Sequence, residues 1–255
     1  MIWQDYSVAF SIFGLTVKWY GVAYVIGFFL TTYLGWWFYN KISRNSRELA
    51  FESWEDLILG IFFAGVLGGR LGEFVFYSPE VFWQNPLEIF QIWHGGMSIH
   101  GGFIGALIYA IFWTKKHSIS FWKVADAVTV PLSISLGLGR ITNFLNGELA
   151  GLPTNSNYGV IFPHVDNLLR HPTQLYESLG SFILAGILFL VFKKYGKQKK
   201  VLTIVFLLGY GITRFIIEFW KTPDGLELWG MFIGQWLCLV MIFVALFLIF
   251  SRKNI

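Results

Sequence analysis

Four groups of polar side chains in this sequence lie inside or beside long apolar runs, where they are costly to keep. A charge at a bilayer centre costs from about 3 to more than 10 kcal/mol, and by default such a group marks function. The densest group is Gly137-Leu138-Gly139-Arg140-Ile141-Thr142-Asn143-Phe144-Leu145-Asn146-Gly147-Glu148. On a helix Arg140 and Asn143 share a face, and Asn146 and Glu148 mark the break into a loop. Tyr210, Arg214 and Glu218 recur every four residues as one polar stripe. Gln174, Glu177, Ser178 and Ser181 form another after His171-Pro172, with Pro as ordinary helix-start punctuation. His100 stands between two glycine pairs, Gly95-Gly96 and Gly101-Gly102, where backbone can approach a ligand and a helix N-terminus favours an anion. His94 has a weaker case. Glycines 65, 68, 69 and 72 allow close helix approach, and Arg70 and Glu73, three apart, fit an internal ion pair or a direct role. Folded inward, the stripes place Arg and Glu in one cavity. That equipment suits an enzyme and equally an ion-coupled transporter or lipid flippase.

The elements carrying these residues follow from composition. The 255 residues are 55% hydrophobic, 20% aromatic and only 13% charged, with mean hydropathy +0.59. Soluble domains carry about 25% charged residues, so a cytosolic globular enzyme is all but excluded. The 27 Phe, 12 Trp and 27 Gly fit membrane helices with aromatic belts. One span takes about 20 apolar residues. The expected fold is an all-α integral membrane protein of about seven transmembrane helices in a single domain, 1–255. The spans lie near 20–39, 57–77, 97–114, 124–142, 174–192, 201–220 and 230–250. The longer connections, about 78–96 and 145–172, read as pieces resting at the outer interface.

Basic residues set the orientation. Lys41, Arg44 and Arg47 follow the first span, Lys115, Lys116 and Lys123 the third. Lys193, Lys194, Lys197, Lys199 and Lys200 follow the fifth, and Arg252 and Lys253 the last. The other side holds Lys18, Arg170 and Lys221. The positive-inside rule then puts the N-terminus outside and the C-terminus in the cytoplasm. The net charge of +4 reflects that topology and calls for no nucleic acid. The first basic residue is Lys18, so no cleavable signal is expected. Cys238, the single cysteine, reads as a small buried hydrophobe and excludes an intrachain disulfide or a cysteine-based metal site.

At this level of detail the sequence resembles bacterial prolipoprotein diacylglyceryl transferases, over nearly the whole chain. Residues 139–148 fit the family signature Gly-Arg-x-x-Asn-Phe-x-Asn-x-Glu. Trp19-Tyr20-Gly21, Gly68-Gly69-Arg70, the run 95–102, the run 170–177 and the run 210–219 follow in the expected order. Departures are mild: Ile99 stands where Phe is common, Lys221 where Arg is common, and 148–171 is shorter than in some members.

The resemblance implies transfer of diacylglycerol from phosphatidylglycerol to the lipobox cysteine thiol of a prolipoprotein, giving a thioether and glycerol phosphate. It implies a multi-pass protein of the bacterial inner membrane with its active site toward the outer leaflet. His100, Arg140, Arg214, Glu218 and Tyr210 carry over as catalytic. Arg140, Arg214, Asn143, Asn146, Glu148 and Tyr20 carry over as substrate-binding, with no metal and no cofactor. The chemistry agrees. A thiolate is the nucleophile needed, an imidazole near neutrality can generate it, and permanently charged guanidinium forks suit phosphate. Glu148 and Glu218 are expected to orient the two arginines. No Gly-x-Ser-x-Gly, paired-Asp or His-Glu-x-x-His motif supports an intramembrane protease.

Overall fold

The computed structural model describes residues 1–43, 49–91, 96–223 and 227–252. Arg44, Arg47, His94, Gly95 and Lys253, used above, lie outside them. The described residues form eight α-helices: α1 (Trp19–Ile42), α2 (Phe51–Phe76), α3 (Pro79–Gln84), α4 (Ile99–Lys116), α5 (Phe121–Leu145), α6 (Thr173–Tyr195), α7 (Val201–Glu218) and α8 (Ile233–Arg252). Six of them, α1, α2, α5, α6, α7 and α8, are long and apolar enough to cross a membrane. The protein is thus mainly helical, as composition requires. The 24 residues of α1 rise about 36 Å, enough for a hydrocarbon core of about 30 Å. At the third expected span, α4 has His100 in its first turn and Lys115 and Lys116 in its last, leaving only its interior apolar.

Six short strands pair as three antiparallel hairpins that the helical reading did not anticipate. They are β1 (Val8–Ile12) with β2 (Leu15–Lys18), β3 (Val160–Ile161) with β4 (Leu169–Arg170), and β5 (Glu227–Leu228) with β6 (Met231–Phe232).

The chain divides into two compact units, Met1–Ile42 with Ala125–Ile255, and Ser43–Val124. In the first, hydroxyls stitch α5 to α6: Ser133 Oγ donates to the Ser181 carbonyl at 2.8 Å and Ser178 Oγ to the Gly137 carbonyl at 2.9 Å. Such internal partners are what polar side chains need among apolar helices. Asp126 receives the Lys200 and Thr203 amides, each at 2.7 Å, and so caps the start of α7. At the opposite end of this unit, the start of α1 and the ends of α5 and α7 are tied together. The Tyr6 amide donates to the Leu145 carbonyl at 3.2 Å and that of Leu152 to Trp220 at 2.8 Å. Trp3 and Phe144 cover a small core of Ala150, Val160 and Phe162 there.

In the second unit α2 and α4 meet along their glycines, as the glycine spacing in α2 requires. A Cβ at Gly72 would lie 2.8 Å from Gly101 Cα, and one at Gly105 3.1 Å from Gly68 Cα. Arg70 is buried and donates to the carbonyls of Glu88 (2.5 Å), Gly96 (2.9 Å), Gln91 (3.1 Å) and Ile89 (3.3 Å). Of the two readings open for Arg70 and Glu73, the ion pair between them does not form among the described residues. Glu73 instead accepts from Ser78 Oγ at 3.4 Å. The loop carbonyls lie within reach of the guanidinium and take up the donors a carboxylate would have used.

Candidate active site

Helical spacing alone places Arg214 and Glu218 on one face of α7, and their side chains meet at 2.9 Å. The next helix supplies the decisive group. Glu177 of α6 reaches Arg140 Nε of α5 through Oε2 at 2.5 Å, and Arg214 Nη1 of α7 through Oε1 at 2.5 Å. Lys221, just past α7, brings its Nζ to 3.7 Å from the same Oε1. One carboxylate therefore bridges cations from three chain segments. Burying a charge is tolerable only when it is paired, and removing one partner leaves the others exposed to the full desolvation cost. Gly234 leaves room for the second carboxylate: a Cβ there would lie 2.9 Å from Glu218 Oε1. Burial, and then the neighbouring Arg214, push Lys221 below the ordinary lysine range, while Glu177 and Glu218 pull the other way. Tyr210 touches the Arg140 guanidinium. With Ser181, Thr213, Arg214 and Glu177 it lines a cleft between α6 and α7.

A second network adjoins the first through Asn143, whose Oδ1 accepts from Arg140 Nη1 at 3.2 Å. Its local origin is the end of α5. Gly147 adopts a φ of +71°, a left-handed conformation that ends the helix, and the Glu148 amide turns back to the Asn143 carbonyl at 2.9 Å. That turn presents the Glu148 carboxylate to Tyr20 Oη (2.6 Å), Asn146 Nδ2 (3.2 Å) and Asn143 Nδ2 (3.3 Å). Asn143 also donates to Tyr20 Oη, and Gln174 Nε2 to the Glu148 carbonyl. Glu148 thus holds neutral donors. The expectation that it orients an arginine is corrected, and Glu177 takes that place.

Comparison with known proteins shows the family to which the chain belongs. Residues 7–251 match the family described as "Prolipoprotein diacylglyceryl transferase". Relatives named phosphatidylglycerol–prolipoprotein diacylglyceryl transferase are 38% identical in Aromatoleum aromaticum over 97% of this chain and 95% of theirs. In Nitrosomonas europaea the identity is 41%, over 95% of this chain and 88% of the relative. In Polynucleobacter asymbioticus it is 40%, over 93% and 92%. The chain belongs to the prolipoprotein diacylglyceryl transferase family.

In this diacylglyceryl transferase family member, the structure joins Arg140, Arg214, Glu218 and Tyr210 to Tyr20, Asn143, Asn146 and Glu148 in one connected set. His100 belongs to the other unit. It lies in the first turn of α4, capped by Ser98, whose Oγ accepts from the Gly101 amide at 3.2 Å. Its Nδ1 is 3.4 Å from Tyr77 Oη. Two members of the charge cluster escaped the sequence-level site. Glu177 was visible as the acidic residue of the α6 stripe, but stripe membership does not say which arginine it meets. Lys221 read as an outer-loop cation, yet it is buried. Arg170 is a loop-fastening residue: its fork holds Asp166 at 3.0 and 2.6 Å, and Nη1 donates to the Gly151 carbonyl at 2.8 Å. That fork also keeps the Asp166 carboxyl below its usual range.

Proposed function

We propose that this chain transfers the diacylglyceryl group of phosphatidylglycerol to the lipobox cysteine thiol of a prolipoprotein, forming a thioether and releasing glycerol phosphate. One observation carries the placement of the chemistry: Arg140, Arg214 and Lys221 converge on Glu177 and Glu218, so cations outnumber carboxylates in the cluster. The surplus positive charge matches the phosphodiester of phosphatidylglycerol. As the thiolate sulfur bonds to the glyceryl carbon, the carbon–oxygen bond to phosphate breaks and its electron pair leaves with glycerol phosphate. Charge on that phosphate grows from one towards two, so fixed cations bind the transition state more tightly than the ground state. Arg140 and Arg214, on different helices, grip the phosphate, with Tyr210 against Arg140 and Glu218 on Arg214. Tyr20, Asn143, Asn146 and Glu148 hold the polar glycerol portion. His100 takes the thiol proton or orients the incoming cysteine.

The same reading places the protein in the bacterial inner membrane with seven spans, the N-terminus outside and the site toward the outer leaflet. Chain parity supports the count. Within the first unit α1 leaves, and α5 enters, at the end where Asp126 caps α7. A crossing by α2 must then be answered by one back, and α4 is the only other described helix between them with the length for it.

The test combines purified protein, phosphatidylglycerol and a lipobox peptide without any ion gradient. A heavier peptide and free glycerol phosphate are expected, and neither product would appear if the cluster served transport. In the same assay His100→Gln should lose turnover while still binding phosphatidylglycerol. Normal turnover of that variant at neutral pH would remove His100 from the mechanism.

A further inference from the structure

The β1–β2 and β5–β6 hairpins of the first unit share an unusual construction. Ile12 pairs with Leu15, leaving Phe13-Gly14 as the two-residue turn, and Leu228 pairs with Met231, leaving Trp229-Gly230. Both turns are left-handed at both positions, with φ of 50° and 80° in the first and 52° and 75° in the second. This is the type I′ geometry, in which Asn or Gly normally fills the first position. A bulky aromatic there is a genuine outlier that costs conformational energy. Among the described residues nothing repays that cost at Phe13, which is fully exposed. Trp229 makes one edge contact with Trp236 and remains 90% exposed.

Both tips are also charge-free. No residue from Tyr6 to Val17 is charged, and none from Leu228 into α8 until Arg252. Ile12, Leu15 and Leu228 beside the tips are exposed as well. Each hairpin runs without a linker into an apolar helix, β2 into α1 at Trp19 and β6 into α8 at Ile233. The helices therefore hold the hairpins at the level where a bilayer's polar region begins, the depth at which Trp is favoured. The start of α1 and the end of α7 lie at the same end of the unit, tied through the 145–152 segment, and α8 begins beside the end of α7, with Gly234 against Glu218. A more polar loop at that end looks different. Tyr158 is also exposed, but it follows Asn155-Ser156-Asn157 and precedes His164, Asp166 and Arg170.

From this convergence we infer that Phe13 and Trp229 are paired lipid anchors, inserted from two hairpins into the headgroup–acyl boundary of one leaflet. The strain at each turn is then offset by transfer of an aromatic side chain from water into lipid.

The experiment places a nitroxide at Phe13→Cys, Trp229→Cys and Tyr158→Cys in separate full-length chains, reconstituted in vesicles of phosphatidylethanolamine and phosphatidylglycerol. Cys238 is buried, and the unsubstituted chain gives its labelling background. Power saturation then compares accessibility to oxygen and to an aqueous nickel chelate. Positions 13 and 229 should show a nickel-to-oxygen ratio several-fold below that at 158. A ratio at either tip equal to that at 158 overturns the paired anchor.

Discussion

Two arginine environments in this protein look alike in sequence and differ in what they leave available. Arg70 follows Gly68-Gly69 and Arg140 follows Gly137-Leu138-Gly139, each within an apolar helix. Arg70 spends its guanidinium on four backbone carbonyls of its own unit and stacks on Phe74 at 5.0 Å. Those acceptors are neutral and part of the chain, so the residue fastens the backbone at Glu88, Ile89, Gln91 and Gly96. Arg140 and Arg214 instead share one carboxylate, and their side chains remain 21% and 15% exposed. A carboxylate bridge can give ground to an incoming phosphate at modest cost, because one anion replaces part of another's role. Backbone carbonyls cannot be exchanged in that way. What a buried arginine leaves available therefore depends on its partners and not on its neighbours in sequence.

The largest effect should come from removing the bridge. Glu177→Gln leaves Arg140, Arg214 and Lys221 facing one another with one carboxylate fewer, a change expected to cost about 3–5 kcal/mol of stability. It should abolish transfer with it, as read by thermal melting in micelles beside turnover per folded molecule. If the variant melts and turns over like the parent, the shared carboxylate is not what holds the cluster.

Arginine-to-lysine exchanges sharpen the comparison at a smaller scale, because Lys keeps charge but loses the planar fork. Arg140→Lys and Arg214→Lys should each slow transfer at least about tenfold, equivalent to about 1.4 kcal/mol of barrier. Arg70→Lys should instead lower stability by about 1–3 kcal/mol through its lost carbonyl bonds, with little change in rate per folded molecule. Arg170→Lys should behave as Arg70→Lys does, and more weakly, since its fork holds an exposed loop. Equal kinetic losses at all four arginines would erase the distinction between fastening and chemistry.

The smallest effect concerns Lys221. Burial and Arg214 lower its pKa, so its charge is present below that lowered value and is lost as pH rises through it. Binding of phosphatidylglycerol should weaken across that alkaline window, before ordinary lysines titrate. Lys221→Arg keeps its charge and should hold affinity to higher pH. Coincident binding profiles for the two proteins would exclude Lys221 from phosphate recognition.

Much of the site was legible in particular residues. Arg214 and Glu218 four apart, and Glu177 inside an apolar stretch, announce a polar interior because the bilayer penalises every alternative. The glycines of α2 likewise announced a close helix neighbour. The hairpins were not legible, since Val8–Val17 is almost wholly apolar, and Phe-Gly and Trp-Gly lack the Asn-Gly signal of a two-residue turn. The partners of Glu148 and Arg70 were not legible, for a common reason. Spacing along a helix identifies which residues share a face, but not which acceptors another segment brings to them.

The amino-acid sequence by itself determined that this chain is a membrane-spanning helical protein, because apolar length and missing charge leave no soluble alternative. Through its signature it also determined the family. Only the tertiary structure decided the pairing: Glu177 rather than Glu148 between the arginines, Lys221 buried among them, and Arg70 spent on carbonyls. The physical reason is that Coulombic and hydrogen-bond energies depend on distance in space. Arg140 and Arg214, dozens of residues apart in sequence, acquire a common partner only once α5, α6 and α7 have packed.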